Sequence, residues 1–314
     1  MSSAETVVIA GAGNIGQYLV EELIDDAKYR VAVISRSSRP YLDALGVDVR
    51  IVNEYSRESV LPILDSLPKT RALISTLSSD DPTVYTPLHE ALLSACRDSK
   101  TCKRFIPSEF LGNTRDYETI PRPIYRARRD FRATLTSQKD VTFTFVNLGW
   151  LADYFVQAPG SHKTYIRPFP QGWPIDLEKR TVRVIGTGDE PIGWTATRDM
   201  ARAVVALIPH DDWPEYTWVY GELGTWNQAI QTIEKFYGIE LQREYVSKES
   251  ISARLSNENE PDKWYSATID EWSLVGATAV PRQEADQQRE KYFKDVGFRD
   301  IEALLLSSQH VPVV

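Results

Sequence analysis

Three glycines near the start of the chain have the spacing of a nucleotide-binding turn. Residues 7–10 form a short apolar run, and Gly11, Gly13 and Gly16 follow it as G-x-G-x-x-G. Apolar residues then recur at helical spacing. The first glycine lets the backbone turn, the second lets a phosphate approach, and the third lets the helix pack closely on the strand. The order of strand, glycine turn and helix therefore predicts a dinucleotide site.

The start of that helix is part of the predicted site. Asn14 and Ile15 stand in its first turn. A helix N-terminus presents unpaired N–H groups and a partial positive charge, both of which favour an anion such as pyrophosphate. We expect these two residues to contact the cofactor together with the three glycines.

The end of the second predicted strand indicates which dinucleotide fits. An NAD site usually carries an Asp or Glu about 20 residues beyond the glycines, where it binds the ribose 2′-hydroxyl. This chain has Ser35, Arg36, Ser37, Ser38 and Arg39 there. An arginine binds a 2′-phosphate through charge-assisted hydrogen bonds, and a serine hydroxyl adds another. The sequence favours NADP(H), with Arg36, Ser35 and Ser37 at the phosphate and Arg39 as a solvated cation.

Composition limits the remaining function classes. The chain has 314 residues, 42% of them hydrophobic, and a formal net charge of −8. This length fits about two domains, and the negative charge disfavours direct nucleic-acid binding. Two cysteines without a disulfide framework, no signal-peptide pattern and no long apolar stretch predict a cytoplasmic protein that does not enter the membrane. Four histidines without ligand spacing predict no metal site, and the oligomeric state stays open.

The first half alternates strand-like and helix-like segments, which predicts a doubly wound parallel sheet of the Rossmann type. The predicted strands are 7–10, 31–35, 49–52, 72–76, 104–106 and 141–146. The predicted helices are 15–27, 60–67, 84–96 and 124–135. We expect a cofactor domain at 1–157, to which the chain returns around 181–207, and a smaller α+β substrate domain at 158–314.

The second half is less regular. Residues 158–180 contain four prolines and two glycines, and we expect an irregular excursion that forms a substrate lid. The pattern predicts a strand at 181–185 and a helix at 226–237 that Gly238 ends. Further helices are predicted at 198–207, 247–255 and 282–295. The residues from about Ser307 show no pattern and are expected to be loosely held.

Eight tryptophans are many for this length, and some of them stand in the segments expected near the substrate. A wide apolar pocket suits a flat aromatic or polycyclic molecule. Its predicted wall comprises Trp150, Tyr154, Phe155, Phe169, Trp173 and Trp194. Core packing is the alternative for the tryptophans in this set, and we expect it for Trp213, Trp218, Trp226, Trp264 and Trp272.

Several sequence blocks resemble the NmrA-like and isoflavone-reductase-like family of atypical short-chain dehydrogenases/reductases. They cover about two thirds of the chain. The blocks are G-A-G-N-I-G-Q-Y-L at 11–19, I-S-R-S-S at 34–38, A-L-I-S-T-L at 72–77, K-R-F-I-P-S-E-F at 103–110, F-T-F-V-N-L-G-W-L-A-D-Y-F at 143–155 and T-R-D-M-A-R-A-V at 197–204. The resemblance implies an NADP-binding Rossmann domain followed by a smaller C-terminal substrate domain.

The resemblance also implies further cofactor contacts, at the carboxyl ends of the later strands. They are Ser75, Thr76 and Leu77 after the fourth strand, Pro107, Ser108 and Glu109 after the fifth, and Asn147, Gly149 and Trp150 after the sixth. Local turn chemistry is the alternative for Ser75 and Thr76. For Glu109 the alternative is a structural ion pair or helix cap.

One position departs from the family pattern. The reductases of this family carry a catalytic lysine on the helix before the sixth strand, and here Arg128 takes its place, with Arg126 and Arg129 as alternates. An arginine stays protonated, so it cannot act as a base. It can polarise a substrate by hydrogen bonding. We expect Arg128 to orient the substrate, while Tyr125, Tyr154 or His162 handles any proton. Asp153 is a further candidate for substrate contact, and His89 is expected to be structural.

These features predict an NADP(H)-dependent oxidoreductase of secondary metabolism that acts on a bulky aromatic or heterocyclic small molecule. The reacting centre would be a C=C, C=N or related C–N or C–O bond. One alternative is a biosynthetic enzyme that uses NADP(H) for a cyclisation or rearrangement. Another, of a different class, is an NmrA-like redox sensor that binds the cofactor without catalysis.

Overall fold

The computed structural model describes residues 5–158 and 160–314, so Met1–Ala4 and Pro159 lie outside the described residues. The chain forms two compact units. The first comprises Met1–Phe110, Arg126–Val146 and Ala201–Thr217. The second comprises Leu111–Tyr125, Asn147–Met200 and Trp218–Val314.

The first unit contains a six-stranded sheet in which every pair of neighbouring strands is parallel. Its strands are β1 (Thr6–Ala10), β2 (Arg30–Ser35), β3 (Asp48–Ile51), β4 (Thr70–Ser75), β5 (Arg104–Ile106) and β6 (Thr142–Phe143). The strand β1 is buried along its whole length, as expected for a strand covered on both faces. The spatial order β3-β2-β1-β4-β5-β6 is that of a dinucleotide-binding sheet, and the predicted fold class is confirmed.

Helices connect these strands close to the predicted positions. They are α1 (Asn14–Asp26), α2 (Pro40–Ala44), α3 (Arg57–Ser66), α4 (Pro82–Asp98) and α5 (Arg122–Ser137). A sixth helix, α6 (Thr197–Leu207), follows all six strands in the chain, and its residues from Ala201 belong to this unit. The short helix α2 was not predicted, because five residues are too few to show a helical period. The predicted sixth strand is divided between β6 and a separate strand, β7 (Phe145–Asn147).

Small sheets and several helices build the second unit. The strands are β8 (Trp150–Leu151), β9 (Ile175–Asp176), β10 (Thr181–Ile185), β11 (Ile192–Thr195), β13 (Glu222–Gly224) and β14 (Gln242–Val246), whereas β12 (Tyr216–Trp218) has its first two residues in the first unit. They pair in the orders β14-β10-β9 and β13-β11-β8, and β12 pairs with β7. The helices are a 3₁₀ helix (Ala152–Val156), α7 (Trp226–Tyr237), α8 (Lys248–Leu255), α9 (Pro261–Leu274), α10 (Arg282–Tyr292) and α11 (Ile301–Ser308). Among the described residues no helix combines the length and apolarity that crossing a bilayer requires.

The division of the chain differs from the predicted boundary at 157/158. Residues 147–157 belong to the second unit, where Trp150 pairs with Trp194 of the neighbouring strand. The chain returns to the first unit only at Ala201–Thr217, and Arg202 Nε lies 3.0 Å from Glu22 Oε2 there. The boundary depends on pairing between residues far apart in sequence, which a local pattern does not contain.

The C-terminus also differs from expectation. Helix α11 continues to Ser308, and Val314 is buried. The backbone N–H of Val314 donates to the carbonyl oxygen of Lys163 at 2.9 Å. A partner more than a hundred residues away therefore orders a segment that looks patternless by itself.

Candidate functional site

The glycine turn has the geometry that its sequence predicts. Gly11 has a φ of +102°, which glycine adopts without strain. A Cβ atom on Gly16 would lie 2.7 Å from the carbonyl oxygen of Gly11 and 2.9 Å from Thr76 Oγ1. A Cβ atom on Gly13 would meet no described atom within 4 Å. Two glycines thus serve the packing of strand and helix, while the third borders open space.

That open space lies at the start of helix α1. Gly13 occupies the N-cap position and has no side chain with which to cap the first turn. The helix has 13 residues, and Asn14 and Ile15 are half-buried in its first turn. Its first N–H groups are therefore suited to an anion from outside the chain. The cradle fits a pyrophosphate.

Arg36 stands beside a cavity of about 390 Å³ in the first unit. The cavity is lined by Arg36, Asn53, Glu54, Tyr55, Ser56, Pro87, Leu88 and Ala91. Arg36 is exposed and forms no ion pair with any residue in 5–158 or 160–314. Ser37 is exposed, whereas the buried Ser35 hydroxyl donates to the Ser37 carbonyl oxygen at 2.8 Å. Arg36 can therefore bind an anion, while Ser35 holds the turn.

The structure brings Ser75, Thr76 and Leu77 to the glycine turn, because β1 and β4 are neighbours in the sheet. The Thr76 N–H donates to Ala10 O at 2.9 Å, and Thr76 Oγ1 donates to Gly11 O at 3.3 Å. The Ser75 side chain is fully buried. Any cofactor contact of Ser75 would therefore involve its backbone.

A buried polar cluster follows β4 and β5. The fully buried Glu109 carboxylate accepts from Arg132 Nε at 3.1 Å and from the Tyr85 hydroxyl at 3.3 Å. Burial, and after it the Glu109 charge, raises the pKa of Tyr85 well above its usual value. The single hydrogen of the Tyr85 hydroxyl is shared between this carboxylate and the carbonyl oxygen of Ser108, which lies 3.1 Å from the hydroxyl oxygen. These contacts favour the structural alternative for Glu109.

Arg128 is part of the same cluster. Its side chain is 4% exposed, and its guanidinium carbon lies 4.4 Å from the centre of the Tyr85 ring. Its Nη2 donates to Ser78 Oγ at 2.9 Å, and its Nε donates to the Ser108 carbonyl oxygen at 3.5 Å. Ser78 follows β4 and Ser108 follows β5. Arg128 therefore links the two loops in which cofactor contacts are predicted.

The other two predicted catalytic residues, Tyr125 and His162, belong to the second unit. Tyr125 is half-buried on the part of α5 that belongs to the second unit, and His162 is an exposed residue of that unit. The alternate Arg126 is exposed, and Arg129 Nε lies 2.8 Å from Asp130 Oδ1 at the surface. The joint catalytic role of Arg128, Tyr125 and His162 stays a prediction.

Predicted contacts after the sixth strand are packed inside the second unit. Asn147 is fully buried and donates from Nδ2 to Thr114 Oγ1 at 3.2 Å. Gly149 has a φ of +78°, and a Cβ there would lie 2.3 Å from Gly193 O. Pro107 in the first unit is likewise buried. The packing of these residues explains their types without a ligand, and their cofactor contacts stay predictions.

An aromatic cavity of about 540 Å³ lies within the second unit. Four of the six predicted wall residues line it: Tyr154, Phe155, Phe169 and Trp173. The rings of Trp173 and Phe155 have centroids 4.9 Å apart, and those of Trp173 and Tyr154 5.0 Å. Burial raises the pKa of Tyr154 to about 12, so this phenol stays protonated at neutral pH. The proline-rich segment supplies part of the wall through Pro168, Pro170 and Pro174.

Two predicted wall residues lie in the core instead. Trp194 is 1% exposed, and its ring centroid is 5.5 Å from that of Trp226. Trp150 is 4% exposed and donates from Nε1 to Ser273 Oγ at 3.3 Å. Both belong to strands that pair with each other, which turns their rings into the packed interior. Conversely, Trp264 was expected in the core and is half-buried.

Asp153, a candidate for substrate contact, is bonded to partners within the protein. Its carboxylate is fully buried and accepts from the Thr197 N–H and hydroxyl, each at 2.7 Å, and from Thr164 Oγ1 at 2.9 Å. Among the described residues no group of three His, Cys, Asp or Glu side chains is arranged to hold a metal ion.

Sequence reasoning overlooked Tyr85 and Arg132 and gave His89 no specific partner. A local signal was present, since Tyr85 and His89 stand four residues apart on α4, as do Arg128 and Arg132 on α5. Residues at this spacing share one helix face. The four side chains belong to one polar cluster.

Comparisons with known proteins agree with this architecture. The chain is 33% identical over 298 residues to oxidoreductase swnR of Metarhizium robertsii, covering 94% of each protein. It is 32% identical over 297 residues to oxidoreductase swnR of Arthroderma benhamiae, again covering 94% of each. No protein-family model matches the sequence.

Solved structures share the fold. Leucoanthocyanidin reductase of Vitis vinifera, solved with NADPH, superposes with a TM-score of 0.73 at 19% identity, covering 96% of this chain and 99% of that one. An isoflavone reductase superposes with a TM-score of 0.70 at 16% identity, covering 97% and 99%. The chain belongs to the isoflavone-reductase-like family. Within that family the fungal relatives are named oxidoreductases, and the resemblance identified from the sequence blocks is confirmed.

Proposed function

We propose that this isoflavone-reductase-like chain is an NADP(H)-dependent oxidoreductase that reduces or oxidises a bulky aromatic or heterocyclic small molecule of secondary metabolism. One observation supports it above all: an uncapped helix N-terminus beside Gly13, with open space in front of it, in the same unit as the exposed Arg36. The crystallised leucoanthocyanidin reductase holds NADPH in this fold, which supports the same cofactor here.

The residues that would hold the cofactor follow from this geometry. Gly11, Gly13 and Gly16 form the cradle, and Arg36 would bind the 2′-phosphate. The pocket behind Arg36 offers Tyr55 and the apolar Leu88 to an adenine ring. When bound, NADP(H) supplies or accepts a hydride at its nicotinamide ring. Ser75–Leu77 and the loop with Ser108 would shape the nicotinamide half of the site.

The aromatic cavity supports the proposed substrate class. Aromatic rings and prolines form much of its wall, and this wall suits a flat, apolar molecule. Its polar groups include Gln157, Asp176 and Arg183, and such groups fix a ligand's orientation. A cavity of this size also favours an enzyme over a redox sensor, because a sensor needs no substrate site.

Proton transfer is the step for which Arg128 is unsuited. Arginine stays protonated, and this one is occupied by protein partners. Tyr154 holds its proton because burial raises its pKa to about 12. We propose Tyr125 or His162 as the donor where a proton is needed. An acceptor that is already cationic, such as a protonated C=N bond, needs no proton at carbon.

Labelled cofactor tests the reaction type. The purified protein is incubated with NADPH deuterated at nicotinamide C4 and a panel of aromatic ketones, enones and cyclic imines, and products are examined by mass spectrometry. Deuterium in a product is expected. Conversion of a substrate without deuterium transfer or NADPH consumption would instead support the cyclisation or rearrangement alternative.

Arg36→Ala is expected to lower NADPH affinity about thirtyfold, or about 2 kcal/mol, because a charged hydrogen-bonding partner of the 2′-phosphate is lost. NADH affinity should stay within about twofold. Isothermal titration calorimetry with both cofactors measures the change. Arg39→Ala, which removes a neighbouring exposed cation, is the matched control. Equal losses in the two variants, or equal losses for NADPH and NADH, would refute the assignment.

Phe169→Ala is expected to weaken binding of a flat aromatic probe, 2-naphthol, about tenfold, because the half-buried Phe169 ring lines the cavity. Quenching of tryptophan fluorescence measures the affinity. Tyr245→Ala serves as control, since Tyr245 is 62% exposed and lies outside the cavity lining. An unchanged affinity for 2-naphthol in Phe169→Ala would show that the aromatic probe does not bind in this cavity.

A further inference from the structure

His89 connects helix α4 with the end of β4. The side chain is fully buried, with Nδ1 3.0 Å from the carbonyl oxygen of Tyr85 and Nε2 3.0 Å from Ser75 Oγ. Its ring stacks on the Tyr85 ring with centroids 3.9 Å apart and an interplanar angle of 22°. The rings of Phe105 and Phe131 flank it at 6.4 and 5.2 Å.

The partners determine the tautomer. A carbonyl oxygen only accepts hydrogen bonds, so Nδ1 must carry the hydrogen. Burial, and to a smaller extent the positive charge of Arg128, lowers the pKa of His89 to about 3, although the hydrogen bond to the Tyr85 carbonyl oxygen opposes this shift. The imidazole is therefore neutral at physiological pH, and Nε2 has a lone pair that accepts the Ser75 hydroxyl.

A directional chain of hydrogen bonds results. The Leu77 N–H donates to Ser75 Oγ at 3.3 Å, Ser75 Oγ donates to His89 Nε2, and His89 Nδ1 donates to the Tyr85 carbonyl oxygen. Each hydrogen bond in this chain has a fixed direction, because reversing any one of them would place two donors or two acceptors opposite each other. The backbone of α4 is thereby connected to the backbone at Leu77.

We propose that His89 is a positioning residue for the dinucleotide: in its Nδ1–H tautomer it holds Ser75–Leu77 against the glycine turn. The inference rests on the proposed cofactor site. Thr76, between the two bonded residues, contacts that turn closely. A Cβ atom on Gly11 would lie 2.8 Å from Thr76 Oγ1, and one on Gly16 2.9 Å from it. A small displacement of Thr76 would therefore alter the shape of the cradle.

Nothing in the packing alone requires a histidine there. A leucine would fill much of the space among Tyr85, Phe105 and Phe131, but it would leave the Ser75 hydroxyl without its acceptor. A buried polar group without a partner is costly, so the segment would move to find another one. The consequence would appear in cofactor affinity, while the second unit would be unaffected.

The tautomer is tested first, in the wild-type protein. The chain has only four histidines, so ¹⁵N-histidine NMR gives a simple spectrum. We expect His89 to show a protonated Nδ1 and an unprotonated Nε2, without change between pH 5 and 8. A hydrogen on Nε2, or titration of His89 in this range, would overturn the proposal.

A double-mutant cycle then measures positioning. His89→Leu and Ser75→Ala are each expected to raise the Kd for NADPH about tenfold, and the double variant no further, because both remove the same chain. His89→Gln, which retains an acceptor, should restore part of the affinity. Binding of 2-naphthol to the second unit should stay unchanged in all of them. If His89→Leu fails to fold, the NADPH affinity of Ser75→Ala and the tautomer of His89 in the wild-type protein still test the proposal.

The outcomes separate this inference from the proposed function. NADPH affinities that are unchanged in Ser75→Ala, or additive losses in the double variant, would overturn positioning by His89. Absence of NADPH binding to the wild-type protein would refute the cofactor assignment itself. The NMR measurement of the His89 tautomer does not depend on whether NADPH binds.

Discussion

Gly13→Val is expected to raise the Kd for NADPH at least about a hundredfold, or about 2.8 kcal/mol, while the protein stays folded. A Cβ atom at Gly13 would meet no described atom within 4 Å, and its φ of −89° suits any residue. The new side chain would therefore occupy only the space in front of the helix N-terminus. That space is where the pyrophosphate must approach the backbone. Titration calorimetry measures the affinity.

Two further glycine variants make this test specific. Gly297→Val also places a side chain in open space, in the second unit, and should leave both affinity and melting temperature unchanged. Gly16→Ala should lower the melting temperature, because its Cβ would lie 2.7 Å from the carbonyl oxygen of Gly11. If Gly13→Val binds NADPH like the wild type, the cofactor does not use this turn. A melting temperature as low as that of Gly16→Ala would show that Gly13 has a packing role instead.

Glu109→Ala is expected to lower the free energy of unfolding by about 3–5 kcal/mol, because it removes the buried carboxylate that balances the charge of Arg132. The Glu109 carboxylate is fully buried beside Arg132, whose side chain is 15% exposed. Its Oε1 atom also lies 3.9 Å from Arg128 Nε. The Tyr85 hydroxyl would lose an acceptor as well. Urea unfolding followed by circular dichroism measures the change.

An exposed ion pair on the same helix provides the control for this variant. Asp130→Ala breaks the pair with Arg129, in which both side chains are about 60% exposed, and should leave the free energy of unfolding close to the wild-type value. Glu109→Gln should fall between the two, because it retains hydrogen-bonding atoms without the charge. A loss in Glu109→Ala no greater than in Asp130→Ala would show that the two buried arginines find other partners.

Helix prediction succeeded where the signal lies on one face of one helix. Helix α7 has the predicted bounds, and Gly238 ends it with a φ of +62°. Helix α9 was missed because polar residues occupy its buried face. Among them, Asp270 is paired with Arg183 and Arg254, at 3.0 and 2.8 Å. A carboxylate in that position interrupts the apolar period, and its partners become visible only when distant segments meet.

The same distinction between local and long-range contacts applies to the predicted site. Gly11, Gly13 and Gly16 form one turn, since their roles depend on adjacent backbone. The catalytic roles of Arg128 and His162 stay predictions: Arg128 contacts Ser78 and Ser108 within the first unit, and His162 is an exposed residue of the second. Residue type identified which groups can exchange protons, but not which of them face a ligand.

The sheet class, the glycine turn and the phosphorylated cofactor could all be predicted from the order of residues along the chain. Each of these follows from residues within a few turns of chain, where backbone geometry and side-chain charge act locally. The folded chain was needed to see which aromatic rings line a cavity, which partners surround Arg128 and Glu109, and which groups face the two ring nitrogens of His89. These depend on pairing between strands and helices far apart in sequence, where the partner's atoms set the hydrogen bond, the burial and the protonation state.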